Sequence, residues 1–296
     1  MTQNATGEKG AGPGARTYVL VHGSHGAGAF WAPIAGELAL RGHRAIAVDQ
    51  PWHGTEAHLP AAYQTQDLDA LATEPSPLAG IGLDDFERRV TRAVRRAARA
   101  APGGRVVLVG HSMGGCSVSR VANAVPELLE HLVYMTACCF SPGVPSIDAV
   151  MATPEAADAV VPAGQVVGDP AKLGVLRLNF RSGAAEDLAV FREMFCADHP
   201  DADFLRVLAG LQPDESSDVN HDPAVGEAAT WGRIPRTYLR FGKDRLLPPA
   251  LQDLMIRLAD ERTPDNPFRV RDFPEAPHMG PLDPGPVVDA LTGLDA

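Results

Sequence analysis

The chain has 296 residues, 45% of them hydrophobic and 21% charged, which allows one large core and excludes a largely disordered protein. A formal net charge of −11 argues against non-specific binding to nucleic acid or to an anionic membrane, because the electrostatic term that drives both is repulsive. A small neutral molecule is the expected partner, while oligomeric state leaves no mark in these numbers.

Residues 1–15 are rich in Gly, Ala and polar groups, lack the apolar stretch of a secretory leader, and are expected as a flexible tail. Residues 17–21 and 45–48 are apolar runs closed by His22-Gly23 and by Asp49-Gln50-Pro51, and both read as buried strands. Between them Phe30, Trp31, Ile34, Leu38 and Leu40 recur at helical spacing, so the unit is a strand–helix–strand parallel crossover. Residues 56–82, rich in Pro and Ala, interrupt the alternation. From Leu83 the positions Phe86, Val90, Ala93, Val94, Ala97 and Ala98 mark one helical face, Asp84 and Asp85 favour its N-terminus, and Pro102-Gly103-Gly104 ends it. The arginines of this helix lie mostly off that face and read as a solvated surface.

Residues 105–109 form the next strand, 113–125 a helix and 131–135 another strand; 237–241 and 268–271 are strands near the C-terminus, each followed by a helix. Alternating strands and helices predict an α/β fold with a parallel sheet covered on both faces. The interval 140–231 breaks the alternation with short helical pieces at 187–196 and 203–211, and is expected as a helical cap over the sheet's C-terminal edge. The core is then 16–139 together with 232–296. Cys116, Cys138, Cys139 and Cys196 show neither disulfide-framework nor zinc-ligand spacing, which predicts reduced thiols in a cytoplasmic protein. No segment reaches transmembrane length. Heavy use of Ala, Arg, Gly and Pro suggests a high-GC bacterial genome.

The central signal is Gly110-His111-Ser112-Met113-Gly114, a Gly-x-Ser-x-Gly pattern that follows an apolar strand and opens a helix. Flanking glycines permit the tight strand-to-helix turn that exposes a serine hydroxyl, and the helix N-terminus faces developing negative charge. The competing reading is a helix merely capped by Ser112. A serine nucleophile needs a base held in one tautomer by a third group. Asp244 and His278 each follow a strand, in the chain order serine, acid, histidine. Asp244 is otherwise a helix cap or a partner of Arg245, and His278 an ordinary loop histidine. An acid after the strand that follows the nucleophile helix is the alternative placement, but Thr136-Ala137-Cys138-Cys139 holds no carboxylate.

An acyl-transfer site also needs two backbone donors for the oxyanion, expected at the N–H groups of Met113 and Ser24. His22 beside that loop reads as a hydrogen-bonding support before a second base. Substrate-contact candidates are His22, Gly23, Trp52, Phe140, Phe195 and Met279, with Met151, Phe191, Phe204 and Leu208 as further candidates for pocket lining or for cap packing.

The segments Tyr18-Val19-Leu20-Val21-His22-Gly23-Ser24-His25-Gly26-Ala27-Gly28-Ala29-Phe30-Trp31, Gly110-His111-Ser112-Met113-Gly114-Gly115, Asp244-Arg245-Leu246-Leu247-Pro248 and His278-Met279 resemble the α/β-hydrolase branch of small-molecule methyl esterases and hydroxynitrile lyases. The stretches from Met194-Phe195-Cys196 to Leu208 and at Leu211-Gln212-Pro213 are also similar to that branch. The resemblance implies a sheet of about six strands, no metal or organic cofactor, and a small-molecule ester as substrate. It also implies a choice: the lyases place a lysine directly after the catalytic histidine and a threonine in the first loop, where this chain has Met279 and Gly23. Both differences favour the esterase side. Residues 56–82 depart from the branch, and their place in the chain suggests a position near the mouth of the site.

Overall fold

The computed structural model describes residues 14–294. The tail expected over residues 1–15 lies outside the described residues except for Gly14 and Ala15. The first half holds β1 (Thr17–Val21), α1 (Ala32–Leu40), β2 (Arg44–Val48), α2 (Ala61–Thr65), α3 (Leu68–Leu71), α4 (Leu83–Ala100), β3 (Val106–Ser112), α5 (Gly114–Ala124) and β4 (Leu129–Ala137). Next come α6 (Ile147–Met151), α7 (Pro170–Leu173), β5 (Val175–Arg177), α8 (Ala185–Phe195), α9 (Asp201–Ala209), β6 (Asp214–Ser216) and α10 (Asp218–His221). The chain closes with β7 (Arg236–Phe241), α11 (Pro249–Arg262), β8 (Arg269–Phe273) and α12 (Gly285–Thr292).

Six strands form one sheet in the order β2-β1-β3-β4-β7-β8, and every pairing in it is parallel. Side chains alternate across a strand, so each central strand feeds two cores. Val19 and Val21 of β1 and Val106 and Leu108 of β3 meet α4, α5 and α11 through Val90, Val94, Val118, Val121 and Ile256. Tyr18, Leu20, Val107 and Val109 point the other way and meet Ile34 and Leu38 of α1 and Val287, Val288 and Leu291 of α12. Each such side chain, taken wholly out of water, contributes about 1.5–3 kcal/mol relative to an exposed one.

The expectation that residues 45–48 form a buried strand needs correction. β2 is an edge strand, with Ile46 41% exposed and only Val48 buried. β8 is the other edge and carries Arg269, Arg271 and Asp272, charges that discourage pairing with another chain. Both strands are held by their one neighbour and by helix packing.

Between β4 and β7 the short helices surround a two-stranded antiparallel ribbon, β5 with β6. Leu178, Phe180, Phe191, Met194, Phe195, Phe204 and Leu208 form a core of their own there. Trp231, at the end of this interval, instead packs among the sheet residues and donates its indole N–H to the Tyr134 hydroxyl at 2.7 Å. Residues 56–82 were expected near the mouth of the site but brace the ribbon. Arg177 donates to the carbonyls of Leu71 and Glu74, and the Ser216 hydroxyl donates to the carbonyl of Ile81. The buried Arg177–Asp214 pair, with bonds of 2.6 and 2.8 Å, fixes that anchor.

Candidate active site

β3 ends on Ser112, whose φ of +53° lies in the left-handed region that a side chain rarely enters. That conformation costs about 1–2 kcal/mol, and tight surroundings hold it. The Cys138 N–H donates to the Ser112 carbonyl at 2.9 Å. A Cβ at Gly115 would fall 2.2 Å from the Cys138 carbonyl oxygen, and one at Gly23 would fall 2.7 Å from the Ser112 Cβ. Only glycine permits these approaches. α5 begins two residues after Ser112 and aims its N-terminus at the serine.

The turn after β7 carries Asp244, and the loop after β8 carries His278. Asp244 Oδ2 accepts the His278 Nδ1–H at 2.7 Å and the Thr136 hydroxyl; Oδ1 accepts the N–H groups of Leu246 and Leu247, each at 2.8 Å. A carboxylate acceptor requires the proton on Nδ1, which leaves the Nε2 lone pair free to take a proton. Both side chains are buried. The His278 loop is fixed from two sides, by His111 Nε2–H donating to the His278 carbonyl at 2.9 Å and by the Met279 N–H donating to Phe195 at 3.0 Å. Burial, with the neighbouring His278, holds the His111 pKa well below its ordinary value, so its ring stays neutral. Arg245 turns away to Glu193, so the alternative pairing of Asp244 with Arg245 is not formed.

The loop after β1 supplies Ser24, whose hydroxyl donates to the Met113 sulfur at 3.2 Å and so ties the two expected oxyanion donors together. Neither the Ser24 nor the Met113 backbone N–H has an acceptor among the described residues. His22 beneath the loop has both ring nitrogens engaged. Nδ1–H donates to the Gly23 carbonyl at 2.7 Å, and Nε2 accepts the Gln50 N–H at 3.0 Å. Burial and the nearby His53 charge push its pKa down to about 4. It supports the loop and offers no free nitrogen for a second base.

Ser112 and His278 line one cavity of about 670 Å³, together with Ser24, Met113, Met151, Leu176, Leu178, Phe195, Leu246, Met279 and Leu282. Most of these side chains are apolar. His22 and Gly23 also reach its wall.

The family model described as "Alpha/beta hydrolase family" matches residues 18–290. The chain belongs to the α/β-hydrolase family. It is 26% identical over 246 residues to a pyrethroid hydrolase of Sphingobium wenxiniae, covering 80% of this chain and 74% of that protein. It is 24% identical over 248 residues to methylesterase 18 of Arabidopsis thaliana, covering 81% and 84%. Among solved structures, polyneuridine aldehyde esterase superposes with a TM-score of 0.68 at 21% identity, over 95% of this chain and 100% of that one, a likeness of fold.

In this hydrolase two of the substrate-contact candidates do not reach the cavity. Trp52, with φ of +61°, sits in a turn that buries His53 and leaves the indole 41% exposed on the surface. Phe140 packs with Met113, Cys116, Cys138 and Val150 beside the cavity without lining it. Of the further candidates Met151 is in the wall, whereas Phe191, Phe204 and Leu208 pack inside the cap. Residues that sequence reasoning passed over are Thr136 and His111, which orient the acid and the histidine loop. Thr136 stands at the strand end searched for a carboxylate, and His111 inside the serine motif, so both positions were marked although their bonds were not. All four cysteines are free and buried. Among the described residues no group of three or more His, Cys, Asp or Glu is placed to hold a metal ion, and no helix is long and apolar enough to cross a membrane.

Proposed function

We propose that this hydrolase cleaves carboxylic esters of small to medium apolar molecules through an acyl-enzyme on Ser112. The observation that carries the reading is the Asp244–His278 bond of 2.7 Å, which frees Nε2 of a histidine sharing a cavity wall with the strained Ser112. In the first half-reaction Ser112 Oγ attacks the ester carbonyl carbon while His278 Nε2 takes the hydroxyl proton. The N–H groups of Met113 and Ser24 receive the oxyanion, and Asp244 stabilises the imidazolium. The intermediate then expels the alcohol, which leaves with the proton from Nε2. Water repeats the sequence on the acyl-enzyme, with Nε2 as base, and releases the acid and free Ser112.

A mostly apolar lining, in which Asp148, His199, Asp203, Arg206 and Asn220 also take part, supports a largely apolar acyl or alcohol portion. Curated relatives named as a pyrethroid hydrolase and a methylesterase are consistent with ester cleavage. A lyase acting on hydroxynitriles is disfavoured at two positions. Met279 brings no cation to stabilise departing cyanide. A threonine in place of Gly23 would drive its Cβ to 2.7 Å from the Ser112 Cβ unless the loop moved.

The test is to label the protein with a serine-directed phosphonate and to assay aryl esters, methyl esters and mandelonitrile in parallel. One label at Ser112, ester turnover, and loss of both in Ser112→Ala are expected. Cyanide release that depends on Ser112 without ester turnover, or labelling elsewhere, overturns the proposal.

A further inference from the structure

A buried carboxylate outside the triad, Glu215 of β6, reaches from the ribbon to the loop that carries Ser24. Its Oε2 accepts the His25 N–H at 2.9 Å and the His53 Nε2–H at 3.2 Å, and its Oε1 accepts the Ser216 N–H at 2.9 Å. His53 Nδ1–H donates to the Pro51 carbonyl at 2.9 Å. Both ring nitrogens of His53 therefore face acceptors, which is the pattern of an imidazolium, and the pair is almost wholly out of water. Burial alone would raise the Glu215 pKa, but the charge and bond of His53, with the His25 N–H, bring it down to about 2. Gln212 adds two bonds to the same loop, its N–H donating to the His25 carbonyl at 2.8 Å and its carbonyl accepting His25 Nδ1–H at 3.0 Å.

His25 has φ of +57°, a left-handed backbone that few residues other than glycine adopt, although histidine does so more often than most. Its N–H belongs to the peptide directly after Ser24. Fixing that peptide holds one of the two peptide planes that flank Ser24 and so narrows the backbone rotation open to the Ser24 N–H, and a charge-assisted bond from a buried carboxylate is a strong way to do so. Glu215 itself does not line the cavity, so it acts through the loop.

We infer that Glu215 is a positioning residue for the oxyanion loop, through which the β5–β6 ribbon sets the rate of acyl transfer. The inference rests on the proposed Ser112 mechanism. Oxyanion donors act in the transition state, so a misplaced Ser24 N–H lowers kcat and leaves ground-state binding nearly intact.

The experiment compares Glu215→Gln and Glu215→Ala with the parent protein on p-nitrophenyl butyrate, with butyrate and an alkyl trifluoromethyl ketone as inhibitors. Thermal melts identify the folded variants, and the near-isosteric Gln variant decides if the Ala variant does not fold. Expected is a kcat about 10²-fold lower, the scale of a catalytic group displaced by about 1 Å. KM and butyrate inhibition should stay close to parent, and the ketone, whose serine adduct carries an oxyanion, should weaken in step with kcat. A folded Gln variant with parental kcat overturns the inference. So does a variant whose KM and butyrate inhibition worsen as much as its ketone inhibition, because that pattern reports a deformed pocket. Ester turnover that survives Ser112→Ala removes the mechanism itself, a result distinct from either outcome at Glu215.

Discussion

Asp244 has two carboxylate oxygens and four donors aimed at them, Thr136, His278 and the N–H groups of Leu246 and Leu247. Three of these donors only orient the carboxylate, so the fourth, His278, meets an acceptor that cannot swing away. In Asp244→Asn one of the two positions becomes an NH2 group. If it faces His278, the ring must accept at Nδ1 and place its proton on Nε2, the wrong tautomer for a base. The expected result is a folded protein whose kcat is lower by about 10⁴, by analogy with the serine-protease triad. Steady-state assays with circular dichroism as a check on folding measure this, and a near-parental rate would assign the orienting role to another acid. This candidate site was legible because serine and acid each stand close after an apolar strand and the histidine in the loop after the next one. Thr136, His111 and Glu215 were not, because their bonds connect residues distant in the chain.

At the scale of elements, the β3–α5 unit forces Ser112 into its conformation, and the force comes from a neighbouring strand. Gly115 lies against the end of β4, where an added Cβ would meet Cys138 backbone at 2.2–3.0 Å. Backbone cannot yield as a flexible side chain can, so Gly115→Ala must push α5 or the 136–139 segment outward. Overpacking of this kind costs about 1–3 kcal/mol, sometimes more. Urea unfolding should show that loss, with reduced phosphonate labelling of Ser112 as its turn relaxes; parental stability would mean that the segment after β4 moves freely. Apolar runs located β1, β3 and β4 to within a few residues, since these central strands are buried on both faces. β2 was expected as buried and is not, because a short run of Ala, Ile and Val has the same composition at an edge as at the centre. Strand order assigns the edge.

Across the whole molecule, three consecutive residues of β6 tie the ribbon to distant parts of the chain. Asp214 holds Arg177 and through it residues 71 and 74; Glu215 holds His25 and His53; the Ser216 hydroxyl donates to Ile81. Arg177→Met leaves Asp214 as an unpaired buried charge and frees two carbonyls, a loss of about 3–5 kcal/mol for a broken buried pair. The double variant Arg177→Met with Asp214→Leu removes the stranded charge and should recover part of that stability. Urea or thermal unfolding of the pair of variants checks this, and a single variant as stable as the parent would show that residues 56–82 are not anchored through Arg177.

The local sequence determined the features that depend on short-range chemistry. Hydrophobic period located the central strands, Gly-x-Ser-x-Gly located the turn at Ser112, and the chain order of Ser112, Asp244 and His278 named the triad candidates. The resemblance, at Met279 and Gly23, favoured an esterase over a lyase. Tertiary structure alone placed residues 56–82 against the β5–β6 ribbon, left Trp52 on the surface, and brought Glu215 to His25, 190 positions away along the chain. Periodicity and turn chemistry act over a few residues and are written in the sequence as patterns. A buried carboxylate chooses its partners by desolvation and charge in three dimensions, and no pattern along the chain records which loop it will meet.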